Sequence, residues 1–341
     1  MLQVSLSDAE QILQDFQLPL PLLSLEELQR DDYDEAAREV RLILKATLSD
    51  GFAAVLRLKN EPDVSLALLE QQGRFATQLR QGGIPCPVQY QCSGSYAKAY
   101  SLHGYPLAVT VEEFVPGELC SVDGATAEQT GALLADTHNL SERLGCHVDN
   151  QVLFDPFAPN DLFTFSAFEA VEPALSGAGL ALHRRIAAQY RAYMERLSPL
   201  RAEPRYAVQG DISNCNLYRL PNGALGLFDF NRCGDNNLFC DMAMQAVFES
   251  RLMDYPPDAG PEQERALLAA FLRGYQSRRP LAPQHRELLP YLFAVISAFW
   301  SSDIRWGPAS LWQACQQRDF PAVLRWLTEI QARLDCLSWP L

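Results

Sequence analysis

The segment Val208–Asn237 reads VQGDISNCNLYRLPNGALGLFDFNRCGDNN, and it contains the pattern that decides the fold. Two strand-like runs, NLYRL and ALGLFDF, flank the turn sequence Pro221-Asn222-Gly223. Asn-Gly between such runs is a strong β-hairpin signal. A two-residue Asn-Gly loop would place Asn216 opposite Asp229, whereas a type I turn with the glycine as a bulge would shift the register by one residue. In either register we expect the Asn216 amide and the Asp229 carboxylate at the same end of the hairpin.

Asp211, Asn216 and Asp229 are oxygen-bearing side chains among apolar strand residues. Burying such groups is costly unless a positive charge or a hydrogen-bonding group meets them. Two or three hard oxygen donors suit Mg²⁺, which takes the rest of its shell from waters and phosphates. A carboxylate that does not bind the metal can accept a proton from a hydroxyl nucleophile, as in phosphoryl transfer. The segment therefore predicts a site for Mg²⁺, a nucleotide and a hydroxyl acceptor.

The composition of the chain limits which partners and which cellular location we expect. The 341 residues carry a formal net charge of -14, which argues against a nucleic-acid partner and is compatible with a cationic small-molecule substrate. The nine cysteines form no CxxC pair, so we expect reduced thiols and a cytoplasmic location. The acidic N-terminal segment does not resemble a signal peptide, and the apolar run Leu288–Trp300 is too short to span a bilayer, so no membrane association is expected. The oligomeric state is left open.

Hydrophobic periodicity divides the chain into a small sheet region and a larger helical region. Ser7–Glu10 and Ser24–Glu27 have the capping-box pattern of helix starts. The alternating runs EVRLILKATL and FAAVLRLKN flank Ser49-Asp50-Gly51, which predicts a hairpin. Arg57 and Lys59 then share one face of its second strand. Further elements are predicted as a helix over 64–81, a strand in PLAVTVEEF, and helices over 126–139, 180–197, 262–276, 286–301 and 321–335.

The catalytic segment resembles a known family. Asp211-Ile-Ser-Asn-Cys-Asn216 has the D-x-x-x-x-N spacing of a kinase catalytic loop. The chain is similar to the aminoglycoside phosphotransferase and choline kinase family in the larger pattern Gly210-Asp211…Asn216…Phe228-Asp229-Phe230…Asp241-Met-Ala243. The resemblance covers about residues 39–249 and implies an α+β, protein-kinase-like bilobal fold. Such a fold has a small N-terminal antiparallel sheet lobe (1–112), a hinge (113–118) and a larger, mainly helical C-terminal lobe (119–341).

The resemblance also implies roles for individual residues. Asp211 would be the catalytic base, Asn216 and Asp229 would hold Mg²⁺, and Asp241 would brace the catalytic loop. The segment Glu113-Phe114-Val115-Pro116-Gly117-Glu118 resembles the family's hinge, so backbone groups of Glu113 and Val115 would meet the adenine of ATP. The cation that touches the α- and β-phosphates would be Arg57 or Lys59.

Three features depart from the family pattern. Gln209 stands where the family usually has His, and we expect it to support the loop by hydrogen bonding. No Gly-rich loop precedes the first predicted hairpin. The helix glutamate that usually pairs with the phosphate-binding cation would fall near Gln72, with Glu70 as a nearby candidate.

The resemblance implies a small-molecule acceptor with a hydroxyl group, and we expect an amino alcohol, an aminoglycoside, a sugar or a homoserine-like compound. Asp235, Trp300 and Asp303 are candidates for a cationic substrate, because an aromatic face and a carboxylate attract cations. Core packing is the alternative for Trp300. The five histidines form no spaced cluster and are interpreted as surface or packed residues. A nucleotide-binding pseudokinase and a Ser/Thr protein kinase of the same fold are the rival functions.

Overall fold

An antiparallel sheet forms the core of the first of two units in the computed structural model. The model describes residues 1–18, 21–117, 119, 122–158, 160, 164–212, 214–250, 261–300 and 302–338. This unit comprises Met1–Glu118, Cys146–Asn150 and Leu217–Asn231. Its five strands lie in the order β1-β2-β3-β5-β4, with all neighbours antiparallel, and their bounds are β1 Leu22–Asp34, β2 Glu39–Leu48, β3 Ala53–Asn60, β4 Ala97–Leu102 and β5 Tyr105–Glu113.

Side-chain alternation along β3 separates a core face from a polar face. Leu56 and Leu58 belong to an apolar cluster that also contains residues of β2 and β5 and of the first helix, α1 (Leu6–Asp15). Arg57 and Lys59 lie on the opposite face, because successive side chains of a strand point to opposite sides. The predicted hairpin over β2 and β3 is therefore confirmed, and it places both cations on one face.

Two local predictions at the N-terminus were wrong. The capping box of α1 starts at Ser5, whose side chain accepts a hydrogen bond from the Asp8 N–H while the Asp8 carboxylate accepts one from the Ser5 N–H. Ser24–Glu27 lies within strand β1, paired with β2, and does not start a helix. The pairing of Leu25 with Ala46 shows that the neighbouring strand outweighed the local capping pattern.

The helix α2 (Leu66–Gln81) follows β3 and matches the predicted range. Ser65 caps it by accepting a hydrogen bond from the Leu68 N–H. Its buried face includes Phe75, which makes an edge-to-face contact with Phe230. This contact connects the helix to the segment that carries Asp229.

The hairpin of the opening segment consists of β7 (Leu217–Arg219) and β8 (Leu225–Leu227), with Leu217 opposite Leu227. The Gly223 N–H donates to the Leu220 carbonyl, and Gly223 has φ 84°, a backbone conformation that favours glycine. The turn with a glycine bulge is thus the one present, and the register that pairs Asn216 with Asp229 was wrong. Within the first unit, the Leu227 N–H donates to the Pro85 carbonyl at 2.9 Å, which connects the hairpin to the segment that follows α2.

The second unit comprises Leu119–Gly145, Gln151–Asn216 and Arg232–Leu341, and its described part is mostly helical. A short strand pair, β6 (Tyr206–Val208) with β9 (Gly234–Asn236), flanks the catalytic segment. The helices are α3 Gly124–Leu144, α4 Phe165–Glu169, α5 Gly177–Leu197, α6 Leu238–Ser250, α7 Pro261–Arg278, α8 Pro283–Ala298, α9 Leu311–Gln316 and α10 Phe320–Asp335. The sequence predicted α3, α5, α7, α8 and α10 but missed α4, α6 and α9. Within the described ranges, no helix has the length and apolar character needed to cross a bilayer.

Candidate active site

Arg57 on β3 is held by a buried ion pair with Glu112 on β5. Arg57 Nε donates to Glu112 Oε1 at 2.8 Å, and Nη2 lies 2.8 Å from the same oxygen. The two residues are only 9% and 7% exposed. Burial by itself would lower the pKa of Arg57, but the negative charges of Glu112 and Asp229 outweigh it and raise that pKa above its usual value. The guanidinium is therefore a fixed positive charge.

Asp229 lies beside this guanidinium on the segment after β8. Its Oδ1 atom is 3.7 Å from Arg57 Nη1 and accepts a hydrogen bond from the Asn231 N–H. Its backbone has φ 57°, which short polar side chains such as Asp tolerate. Burial would raise the pKa of Asp229, but the charges of Arg57 and Lys59 outweigh burial and lower it. Asp229 is thus an ionised carboxylate whose side chain is 30% exposed.

Lys59 contacts the same segment from the next position on this face of β3. Its Nζ donates to Asn231 Oδ1. Burial, followed by the nearby charge of Arg57, lowers the pKa of Lys59 to about 8. Both candidate phosphate-binding cations therefore lie close to the segment that carries Asp229, and only Arg57 is within ion-pair distance of the Asp229 carboxylate.

Neither candidate glutamate position on α2 supplies the partner of Arg57. Gln72 Nε2 donates to the Asn231 carbonyl at 3.1 Å, while the Glu70 carboxylate accepts from the Tyr96 N–H at 2.6 Å. The partner is Glu112, which the sequence analysis missed. Thr110 lies opposite Arg57 in the β3–β5 pairing, so Glu112 is a diagonal neighbour on the same face. Glu112 is visible in the sequence VTVEEF, but it can be identified as the partner of Arg57 only when the pairing of β3 with β5 is known.

The segment that follows β5 offers backbone hydrogen-bonding groups. The Glu113 N–H donates to the Val88 carbonyl, and the Phe114 N–H donates to the Ala53 carbonyl. The Glu113 side chain accepts from the Val88 N–H, which orders the end of the strand. Among the described residues, none accepts a hydrogen bond from the Val115 N–H. Glu118, the last residue of the predicted hinge, lies outside the described residues.

The catalytic segment of the second unit is braced by its own side chains. Buried Gln209 accepts a hydrogen bond from the Asp211 N–H through Oε1 at 2.7 Å. Asn216 Nδ2 donates to the Asp211 carbonyl at 2.8 Å and to Asp211 Oδ2 at 2.9 Å. Gly210 between them has φ 80°, and a Cβ there would lie 2.7 Å from the Arg232 carbonyl oxygen, so glycine is required. Asp211 and Asn216 are thus fixed as one hydrogen-bonded group.

Asp241 lies in the first turn of α6 and is 2% exposed. Its Oδ2 atom is 3.0 Å from His138 Nε2 on α3, and His138 Nδ1 is 3.0 Å from the Tyr275 hydroxyl on α7. Burial raises the pKa of Tyr275 above its usual value, so this hydroxyl stays protonated. The start of α6 is capped by Asn237, whose Oδ1 accepts from the Phe239 and Cys240 N–H groups. The observed contact of Asp241 is with His138, which the sequence analysis treated only as a surface or packed residue.

The three substrate candidates lie in different elements. Asp235 is on β9 opposite Ala207. Trp300 follows the end of α8, and its ring makes a tilted contact with Phe248, as expected for packing. Asp303 lies in a separate π-helical turn, Ser302–Trp306, and pairs with Arg333 at 2.6 Å. Trp300 and Asp303 therefore do not share one helix.

The donor groups fit a nucleotide phosphate and Mg²⁺. Arg57 Nη1 is buried but makes no hydrogen bond to any residue the model describes, so it has a free donor for a phosphate oxygen. Asp229 is an ionised, partly exposed carboxylate, and Asn216 commits its NH₂ group to Asp211, which leaves its carbonyl oxygen as a possible metal ligand. In the described part of the chain, no cluster of three or more His, Cys, Asp or Glu residues could hold a metal. An ionised carboxylate such as that of Asp229 suits Mg²⁺, which keeps several waters and needs few protein ligands.

Comparison with known proteins identifies the family and the fold of this chain. The family model described as "Phosphotransferase enzyme family" matches residues 36–281. A solved structure of the amicoumacin kinase hAmiN in complex with AMP-PNP, Ca²⁺ and Ami is similar, with TM-score 0.56 and 18% identity, over 97% of this chain and 95% of that chain. The microcompartment-associated aminopropanol kinase is similar with TM-score 0.59 and 15% identity, also over 97% of this chain and 95% of that chain.

At these identities the two structures show a shared fold, and they confirm the predicted protein-kinase-like α+β fold with a small antiparallel sheet and a mainly helical remainder. Comparison with curated proteins finds no significant match. The family match spans well over half of the chain, including strands β2 to β5, Asp211, Asn216, Asp229 and Asp241. The chain belongs to the phosphotransferase enzyme family, and it is a phosphotransferase with an alcohol group as acceptor.

Proposed function

We propose that this protein transfers the γ-phosphoryl group of ATP, in a Mg²⁺-dependent reaction, to a hydroxyl of a small molecule. The observation that carries the proposal is the pairing of a buried Arg57, which has one free donor group, with an ionised Asp229 3.7 Å away. A fixed cation beside a partly exposed carboxylate matches the needs of a metal-bound polyphosphate.

Each residue has a proposed role in this reaction. Arg57 donates hydrogen bonds to phosphate oxygens, and Lys59 holds Asn231 and adds positive charge. Asn216 and Asp229 hold Mg²⁺, which when bound would neutralise charge on the phosphates. Asp211 accepts the proton of the acceptor hydroxyl.

The remaining roles concern support and nucleotide orientation. Gln209 orients Asp211 through its backbone N–H, as its 2.7 Å hydrogen bond supports. Asp241 braces the start of α6 through His138. The Val115 N–H and the Glu113 carbonyl are the proposed partners of the adenine ring. In this proposal residues 1–112 bind the nucleotide, residues 113–118 form the hinge, and residues 119–341 carry the catalytic loop and bind the acceptor.

The proposed acceptor is a nitrogen-containing alcohol. The net charge of -14 favours a cationic partner over an anionic one. One structural neighbour is a kinase for an amino alcohol, aminopropanol, which is in keeping with this choice. Aminoglycosides, sugars and homoserine-like compounds are the other acceptor classes, and Asp235, Trp300 and Asp303 stay candidates for contacting the acceptor. A cytoplasmic location is part of the proposal, since described cysteines such as Cys86, Cys92 and Cys240 are free thiols.

The first test is a screen for ADP release with amino alcohols, aminoglycosides, sugars and homoserine as acceptors. The variant Asp211→Asn should lose turnover by at least about a thousandfold while binding Mg·ATP as wild type does, because the proton acceptor is removed and the phosphate-binding groups stay. The exposed Asp63→Asn is the matched control and should be fully active. Undiminished turnover in Asp211→Asn would refute the catalytic assignment.

The same assays separate the rival functions. A pseudokinase would bind ATP but release no ADP with any acceptor, and a protein kinase would phosphorylate a protein substrate such as casein and none of the small alcohols. Retention of Asp211, Asn216 and Asp229 together supports an active enzyme over a pseudokinase, because a non-catalytic protein has no chemical need for all three.

A further inference from the structure

Glu112 has a more specific arrangement than a simple salt-bridge partner. One carboxylate oxygen, Oε1, receives both Arg57 Nε and Arg57 Nη2 at 2.8 Å. The other oxygen, Oε2, accepts a hydrogen bond from Gln89 Nε2 at 2.8 Å. Both oxygens are therefore engaged, and the carboxylate cannot rotate without losing a buried hydrogen bond. Glu112 holds the guanidinium in one orientation, with Nη1 directed away from the pair.

Two groups compete for Arg57 Nη1, namely the Asp229 carboxylate and the phosphate of a bound nucleotide. Nη1 lies 3.7 Å from Asp229 Oδ1, which is too long for a hydrogen bond. A shift of about 1 Å would make a charge-assisted hydrogen bond between Arg57 and Asp229, since such bonds are about 2.7–2.9 Å long. That bond would use the carboxylate lone pairs that a metal ion needs. Glu112 keeps the guanidinium from making this shift.

We propose that Glu112 is a positioning residue that aims Arg57 at the nucleotide phosphates and keeps it from capturing Asp229. The proposal rests on the function proposed above. Both members of the pair lie on adjacent strands, so the β3–β5 register fixes their geometry and no residue of α2 is required. Gln72 and Glu70 on that helix are engaged elsewhere, with Asn231 and Tyr96.

Two consequences distinguish this role from a structural one. Without the Glu112 charge, Arg57 should turn to Asp229, so ATP loses a phosphate contact even when no metal is present. Mg²⁺ should also strengthen ATP binding less, because Asp229 is already paired. If Glu112 only stabilised the fold, its replacement would lower the melting temperature. It would not change how strongly Mg²⁺ and ATP strengthen each other's binding.

The test uses Glu112→Gln, which keeps the shape of the side chain and removes its charge. Calorimetry gives the Kd for ATP in EDTA and the Kd for ATP in excess Mg²⁺, and the ratio of the two constants measures the coupling. We expect the Kd in EDTA to rise about tenfold, as for loss of one charge-assisted hydrogen bond. The coupling ratio should fall by at least about fivefold.

The matched control is Asp15→Asn, which removes the charge that pairs with Lys98 in the same unit and accepts a hydrogen bond from the Tyr100 hydroxyl. It should lower stability and leave both constants unchanged. If Glu112→Gln does not fold, the double variant Arg57→Gln with Glu112→Gln removes both charges of the buried pair together. It should bind ATP about tenfold more weakly in EDTA, and its coupling ratio should stay near that of wild type because no arginine remains to capture Asp229.

Each outcome decides between explanations. Wild-type constants in Glu112→Gln, with wild type itself binding Mg·ATP, would overturn the positioning role alone. A tenfold weaker affinity of Glu112→Gln for ATP in EDTA, with an unchanged coupling ratio, would show that Glu112 does not keep Arg57 from Asp229. Failure of wild type to bind Mg·ATP would instead overturn the proposed function.

Discussion

Helices α3 and α7 approach each other through two glycines, and this contact allows a quantitative prediction. A Cβ on Gly131 would lie 2.0 Å from the Phe271 carbonyl oxygen, and one on Gly274 would lie 1.9 Å from the Glu128 carbonyl oxygen. Each obstructing atom belongs to the backbone of the opposite helix, so no side-chain rotation relieves the overlap. We therefore expect Gly131→Ala and Gly274→Ala each to force the helices apart.

The size of the effect follows from these distances. A carbon–oxygen contact normally needs about 3.3 Å, so the helices must separate by roughly 1.3 Å at this point. Overpacking of a close-packed interior typically costs 1–3 kcal/mol and occasionally more. Alanine recovers at most about 1 kcal/mol through its higher helix propensity. Because a backbone must move, we expect a net loss of about 3 kcal/mol in the free energy of unfolding for each variant.

Urea unfolding followed by far-UV circular dichroism measures this loss as a lower midpoint at unchanged slope. The matched control is Gly179→Ala in α5, where the added Cβ would lie 4.0 Å from Leu327 Cδ1, an ordinary contact. That variant should be as stable as wild type or up to about 1 kcal/mol more stable. The double variant of Gly131 and Gly274 should cost less than the sum, because helices already separated accept the second methyl group.

The same separation should lengthen the hydrogen bond between His138 and Tyr275. His138 lies on α3 with Gly131, and Tyr275 follows Gly274 on α7. A Gly131→Ala variant that unfolds at the wild-type urea concentration would show that the close contact between α3 and α7 is not rigid. Such a result would refute the expected separation of the two helices.

Two further predictions concern pH dependence and loop support. Burial raises the pKa of fully buried Glu249 from 4.5 to about 7, so its contribution to stability is complete below pH 4.5 and is lost as pH rises through 7. Relative to Glu249→Gln, wild type should lose about 3 kcal/mol between pH 4.5 and 8, measured by urea unfolding at both values, and equal losses in the two proteins would contradict this. Gln209→Ala should lower turnover about tenfold with unchanged ATP affinity, because the Asp211 N–H loses its buried acceptor. Gln209→His should retain most of the activity. A change in ATP affinity alone in Gln209→Ala would refute the supporting role.

The sequence by itself predicted what depends on local pattern. Alternation placed Arg57 and Lys59 on one face of β3, and the D-x-x-x-x-N spacing predicted the group in which Asn216 bonds to Asp211. Pro221-Asn222-Gly223 predicted a hairpin but left its register open, because two turn geometries fit the same three residues. These features span few residues, so short-range sterics and hydrogen bonding decide them.

Only the tertiary structure decided which distant groups meet. Glu112 is 55 residues from Arg57, and His138 is 103 residues from Asp241. Ser24–Glu27 had the pattern of a helix start, yet pairing with β2 made it a strand. Strand pairing and helix packing depend on the whole chain, because the free energy of burying a charge or an apolar face is set by the partner that covers it.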